Sequence, residues 1–202
     1  PAAAGVGRSR LFENAPFPFD SGTDPRKRRT ASLENERYSD PRVLLHIPQG
    51  FDIRKPGVVV IFFHGHRANL KRDVLDRQKV ADQISLSRAN AVLVAPQFAV
   101  NASDSSAGNF WTPGLFTLFL NEASEQLAIL HGFLGLARDF DKLNVIIVGY
   151  SGGFAESVAQ VQALEKAGLD IVYVAEAYGY DAVSLMGYLA AVTDTVHIAS
   201  GI

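Results

Sequence analysis

Apolar and polar positions along the 202-residue chain fall into two alternating patterns. Short, continuous runs of β-branched and aromatic residues occur at 58–63, 91–95, 145–148 and 171–175. A run of strand length with no polar face suits a strand buried on both sides, as in a parallel sheet covered by helices. Shorter apolar segments at 43–47, ending at Pro48, and at 196–199 read as further strands. The intervening stretches have helical character. Residues 69–87 are polar and helix-compatible. Residues 115–137 place Phe119, Ala123, Leu127, Leu130 and Leu134 at three- and four-residue spacing, which is one apolar helix face. A helix is expected from the glycine-rich turn at 149–153 to Lys166, with Gly168 as its stop, and another over 182–191. Strands alternating with helices predict an α/β fold with a mostly parallel sheet flanked by helices. Residues 1–37 mix Pro, Gly, Ser and charge and read as an irregular N-terminal extension, leaving 38–202 as the folded domain.

Composition narrows the function classes. Hydrophobic residues make up 48% of the chain, enough for one well-buried core, and the formal net charge is -2. No global field points to nucleic acid or an acidic membrane surface as partner. The single basic cluster, Arg26-Lys27-Arg28-Arg29, reads as a solvated loop because no aromatic or further basic surface accompanies it. There is no cysteine, so disulfides, thiolate metal sites and a cysteine nucleophile are excluded. No apolar run reaches the roughly 18 residues of a membrane-spanning helix. Pro1-Ala2-Ala3-Ala4-Gly5 resembles the small-residue tail of a signal-peptide cleavage region, which would suit a periplasmic or secreted location. The plainer reading is a disordered or trimmed terminus, which leaves a cytoplasmic location open.

The strongest chemical signal is Gly149-Tyr150-Ser151-Gly152-Gly153, a G-x-S-x-G pattern between a buried strand and an expected helix. A nucleophilic serine needs a sharp turn that lifts its hydroxyl clear of the backbone. Flanking glycines let strand and helix pack closely there. The helix N-terminus supplies free N–H groups and positive potential, and the Gly152 N–H is a natural oxyanion donor. The competing reading is a glycine-rich turn in which Ser151 caps the helix, with or without a bound phosphate. The Walker lysine and the G-x-G-x-x-G spacing are both missing.

A second signal, His64-Gly65-His66-Arg67, directly follows the strand ending at Phe63. Acyl transfer needs a second oxyanion donor from a neighbouring strand's C-terminal loop, and the backbone N–H of His66 is the candidate. A His-x-His pair can also bind metal, but no partner cluster accompanies it. His64 itself is expected to bond loop backbone. His46 is read as a strand-face residue and His131 as a solvent-facing or packing residue of the long helix. Phe98, Phe110 and Trp111 are candidates for an apolar pocket wall or for core packing.

The histidine-glycine loop, the G-x-S-x-G turn and the strand–helix alternation together resemble the α/β-hydrolase superfamily. More narrowly, Phe63-His64-Gly65-His66, the segment 91–98 (AVLVAPQF), Asp104-Ser105-Ser106-Ala107-Gly108 and Phe110-Trp111 resemble a bacterial group of α/β-hydrolase-like proteins. The resemblance covers about residues 43–181. It implies a serine–histidine–acid hydrolase with Ser151 as nucleophile and His66 and Gly152 as oxyanion donors. It does not fix a substrate.

Superfamily order runs serine, acid, histidine. Glu176, at the end of the strand 171–175, is the first candidate acid and Asp181 the second. Asp181 also suits an N-cap. The only histidine after Ser151 is His197, inside an expected strand rather than on a loop beyond it. The family's base normally comes from one more strand and loop. Either the base lies beyond Ile202, or His197 serves from an unusual place, or the triad is incomplete. The expected activity is therefore cleavage of a small-molecule ester or related acyl bond, without a cofactor. The alternative is a non-catalytic binding module on the same fold.

Overall fold

The structure, a computed structural model, describes residues 5–18, 35–103, 106–150, 161–162, 165–166, 168–174 and 182–200. Among them seven strands form one sheet: β1 (Val6–Leu11), β2 (Arg42–Ile47), β3 (Val58–Phe63), β4 (Ala91–Pro96), β5 (Asn144–Gly149), β6 (Ile171–Val174) and β7 (His197–Ser200), in the order β1-β2-β4-β3-β5-β6-β7. β4, β3, β5, β6 and β7 are parallel. β2 and β1 close one edge in antiparallel fashion. Helices α1 (Val80–Ser87), α2 (Leu115–His131), α3 (Ala137–Asp141) and α4 (Ala182–Val192) connect or cover the strands. The mostly parallel sheet flanked by helices expected from the sequence is present.

The sheet separates two cores, and the strands feed both. Val59, Ile61 and Phe63 of β3 face one side with Val43, Val92, Ile147 and Val172. There they meet Phe116, Phe119, Ala123 and Leu127 of α2 and Leu189 of α4. Val60 and Phe62 point the other way, into a smaller cluster with Leu44 and Leu93 under Leu70, Val74, Val80 and Ala81. This two-sided burial is why β3 and β4 carry no polar residue.

Three expectations need correction. Residues 6–11, expected to be irregular, form edge strand β1, and the segment after it sends Phe12, Ala15 and Phe17 into the main core. β1 is exposed along nearly its whole length, so no apolar alternation marks it. The 69–87 stretch is not one helix. A π-helical segment, Leu70–Arg77, precedes α1, and Lys79 between them is left-handed at φ 53°. The helix expected over 115–137 stops at His131. Gly132 takes φ 108°, its N–H reaches Ile129 C=O at 3.1 Å and the Phe133 N–H reaches Ala128 C=O at 3.0 Å. These bonds cap the last turn's carbonyls in the Schellman pattern. Leu134, counted as part of the apolar face, is 56% exposed.

Phe119 is fully buried, with ring centroids 4.9 Å from Phe110, 5.5 Å from Phe12 and 5.8 Å from Phe116. Phe119→Ala should therefore destabilise the fold by about 3–5 kcal/mol. Urea denaturation followed by circular dichroism measures this directly.

Candidate active site

The parallel pairing of β3 and β5 sets Phe63 opposite Gly149. One residue further on, the Tyr150 N–H donates to Phe63 C=O at 2.9 Å. Both strands therefore finish at the same edge. His64-Gly65-His66-Arg67 leaves one, and Tyr150, with Ser151 next in sequence, leaves the other. This is the carboxyl edge of the parallel strands, where open α/β sheets place ligands. Ser151, Gly152, Glu176 and Asp181 lie outside the described residues, as do the basic cluster Arg26–Arg29 and the Asp104-Ser105 pair.

The loop after β3 is fastened to the loop after β4 by a buried polar knot. The Phe98 N–H donates to His64 Nε2 at 3.0 Å. A backbone N–H can only donate, so Nε2 is unprotonated and the ring proton sits on Nδ1. That proton goes to Gly65 C=O at 3.0 Å. The Gln97 amide nitrogen lies 2.8 Å from His64 Nε2 and donates to Phe98 C=O at 3.0 Å. Its Oε1 accepts from the Leu70 N–H at 2.9 Å. Gln97 is completely buried and no polar atom of its amide is left over. Burial pushes the His64 pKa below its ordinary value, against smaller pulls from Gly65 C=O and Asp73. His64 is thus a neutral, positioning imidazole that bonds loop backbone. Gln97 is the residue sequence reasoning passed over. Its signal was a lone polar side chain between Pro96 and Phe98, at the end of a wholly apolar strand.

The segment that follows is fastened as well. Asn69 Oδ1 accepts from the Arg72 N–H at 2.9 Å, and Asp73 Oδ2 accepts from the Asn69 N–H at 2.9 Å. This is a capping box widened by one residue to fit a π-helical turn. Asp73 is buried, which by itself raises a carboxyl pKa. The Arg72 hydrogen bond, the Asn69 N–H and the Arg72 and Arg77 charges outweigh that, so the carboxyl lies below its ordinary value.

His66 is exposed and stands on the same edge as Tyr150. His197 does not. It opens β7, pairing with Ile171, which pairs with Ile146. Gly149 is three residues further along that register. At about 3.3 Å per residue and about 4.8 Å per strand, His197 sits roughly 14 Å from Gly149, at the amino edge. Its own N–H is taken by Asp170 C=O. The two remaining histidines also lie elsewhere. His46 is buried with Nε2 2.7 Å from Ser85 Oγ, and His131 packs edge-on to Phe140 and Phe51. Phe98 and Phe110 are buried core residues, 6.1 Å apart. Cavities of 510 and 440 Å³ open at the amino edge, around Gly50, Ser85 and Asn90 and around Ile47, Phe51 and Leu130, away from the Tyr150 turn. Among the described residues no group of histidine and carboxylate side chains could hold a metal ion, and no helix is long and apolar enough to cross a membrane.

Comparison with known proteins yields two different likenesses. A family model described as luciferase-like monooxygenase matches residues 143–202, under a third of the chain. Among solved structures, the chain is similar to a serine-to-alanine mutant of the feruloyl esterase module from Clostridium thermocellum complexed with sinapinate. The TM-score is 0.43 at 10% identity, over 80% of this chain and 76% of that one. It is also similar to a structure called FAE, with TM-score 0.43, 12% identity, and coverage of 99% and 82%. A thermostable esterase gives TM-score 0.33, 14% identity, and coverage of 80% and 51%. No curated protein matches.

His64 and His46 are both held neutral by burial. A folded-state pKa below the unfolded value means that the unfolded chain binds the proton first. The stabilisation is complete above the ordinary histidine value of 6.5 and is lost as pH falls from there through the folded-state values. Unfolding free energy should fall between pH 7 and pH 5. His64→Gln should flatten that slope by up to about 1.4 kcal/mol per pH unit, as read from urea curves at stepped pH.

Proposed function

We propose that the chain is a serine hydrolase that cleaves an ester or related acyl bond of a small molecule through an acyl-enzyme on Ser151. The observation that carries this reading is the Tyr150 N–H to Phe63 C=O bond. It sets the start of the G-x-S-x-G turn beside the histidine-glycine loop, the juxtaposition that acyl transfer requires.

In this reading Ser151 Oγ attacks the acyl carbon as its proton passes to a histidine. The N–H groups of His66 and Gly152 receive the charge that develops on the carbonyl oxygen. The leaving alcohol then takes up the proton. Water repeats the sequence to free the acid. Glu176, or Asp181 after it, orients the base. Register argues against His197 as that base, since it lies at the other edge of the sheet. The imidazole of His66, exposed on the serine's edge, is the better candidate. Such constellations arise in any chain order, so a base preceding the serine is no obstacle.

Intact mass after treatment with a fluorophosphonate tests the reading. Wild type should gain one adduct. Ser151→Ala should gain none, His66→Ala should label far more slowly, and His197→Ala should label like wild type. An adduct that survives Ser151→Ala sinks the mechanism. A well-folded wild type that takes no adduct returns the fold to a binding role.

A further inference from the structure

Arg67 closes the His64-Gly65-His66-Arg67 loop in the left-handed region, at φ 54°. A long side chain seldom adopts that conformation, and such outliers persist where surrounding contacts over-determine them, often at ligand sites. The contacts are present here. The Arg67 N–H donates to Ala102 C=O at 2.8 Å, its carbonyl accepts from Arg72 Nη2, and its Nε donates to Ser103 Oγ at 2.6 Å. On the facing loop Asn101, also left-handed at φ 52°, donates its N–H to Ala68 C=O.

A glycine or asparagine would fit this backbone with less strain, so what arginine adds is its guanidinium. Nε is spent on Ser103, which fixes the plane of the fork. The neighbouring cations each have a carboxylate partner: Lys71 pairs with Asp76, and Arg72 and Arg77 share Asp73. Arg67 pairs with no carboxylate among the described residues, and its side chain is exposed. An oriented guanidinium whose terminal nitrogens meet no acceptor among the described residues suits a planar anion.

We propose that Arg67 is a specificity residue that receives a carboxylate on the acyl chain of the substrate, so that the preferred ester is a half-ester of a dicarboxylic acid. This rests on the serine-hydrolase reading of the same edge.

The full chain would be assayed on 4-nitrophenyl butyrate and on the mono-4-nitrophenyl ester of glutaric acid. The ratio of kcat/KM, anionic over neutral, should exceed one in wild type. It should fall at least tenfold in Arg67→Gly, which keeps the left-handed backbone, and by an intermediate factor in Arg67→Lys, which keeps the charge without the fork. An unchanged ratio in Arg67→Gly overturns the proposal, including the case where both esters slow equally. Calorimetric titration with glutarate separates this from the mechanism beneath it. Wild type and Ser151→Ala should bind, and Arg67→Gly should bind at least tenfold more weakly. Failure of wild type to bind overturns the Arg67 assignment whatever the fluorophosphonate result. Glutarate binding that depends on Arg67, in a protein with no Ser151-dependent hydrolysis, would uphold the anion site and remove the hydrolase.

Discussion

The central strand β3 is apolar on both faces, and most of the architecture follows from that constraint. Its odd positions, Val59, Ile61 and Phe63, require one layer of helices, and its even positions, Val60 and Phe62, require another. A parallel neighbour on each side satisfies its backbone. A slip of one residue would exchange the two faces, forcing every side chain into the wrong core. The register is therefore fixed, and with it the level at which β3 and β5 leave the sheet.

Fixing that level creates a polar problem at the carboxyl edge, where the loops after β3 and β4 run through buried surroundings. The buried backbone N–H of Phe98 must find an acceptor. His64 supplies it, Gln97 adds the second link, and the same amide reaches the Leu70 N–H at the head of the π-helical segment. Three chain segments are tied by two side chains. The cost is a histidine that cannot charge without breaking the Phe98 bond. That cost explains why the histidine most prominent in the sequence pattern is the one least available for proton transfer.

The central strands β3 and β4 are legible because two-sided burial leaves an unambiguous apolar run, and Pro96 ends β4 within a residue of the expected stop. β1 was not legible. An exposed edge strand needs only its backbone hydrogen bonds, and Val6-Gly7-Arg8-Ser9-Arg10-Leu11 has the composition of a loop. The helix over 115–137 was overrun because Leu134 continued the apolar spacing, although Gly132 already carried the stop. At the site, the G-x-S-x-G and histidine-glycine segments were visible as motifs. Their meeting was inferred from strand order, and the Tyr150–Phe63 bond brings together the parts of it that are described. The role of Gln97 was not visible, because a buried amide reveals its partners only once the loops have met.

The family-model likeness begins at a seam inside the sheet. The luciferase-like match begins at residue 143, at the foot of β5, and takes in Ser151, Glu176, Asp181 and His197. The histidine-glycine loop, Gln97 and Arg67 all precede it. Pairing across the seam is complete, six residues of β3 against six of β5, yet this decides less than it promises. Parallel strands join through backbone groups and generic Val and Ile contacts, and any βα segment with a buried apolar run meets those terms. Continuity of the sheet therefore speaks for the fold and is silent on the chemistry. The chemistry depends on whether the turn after Gly149 presents a serine hydroxyl to the loop after Phe63. That question turns on a few atoms at one edge, and on neither half of the sheet by itself.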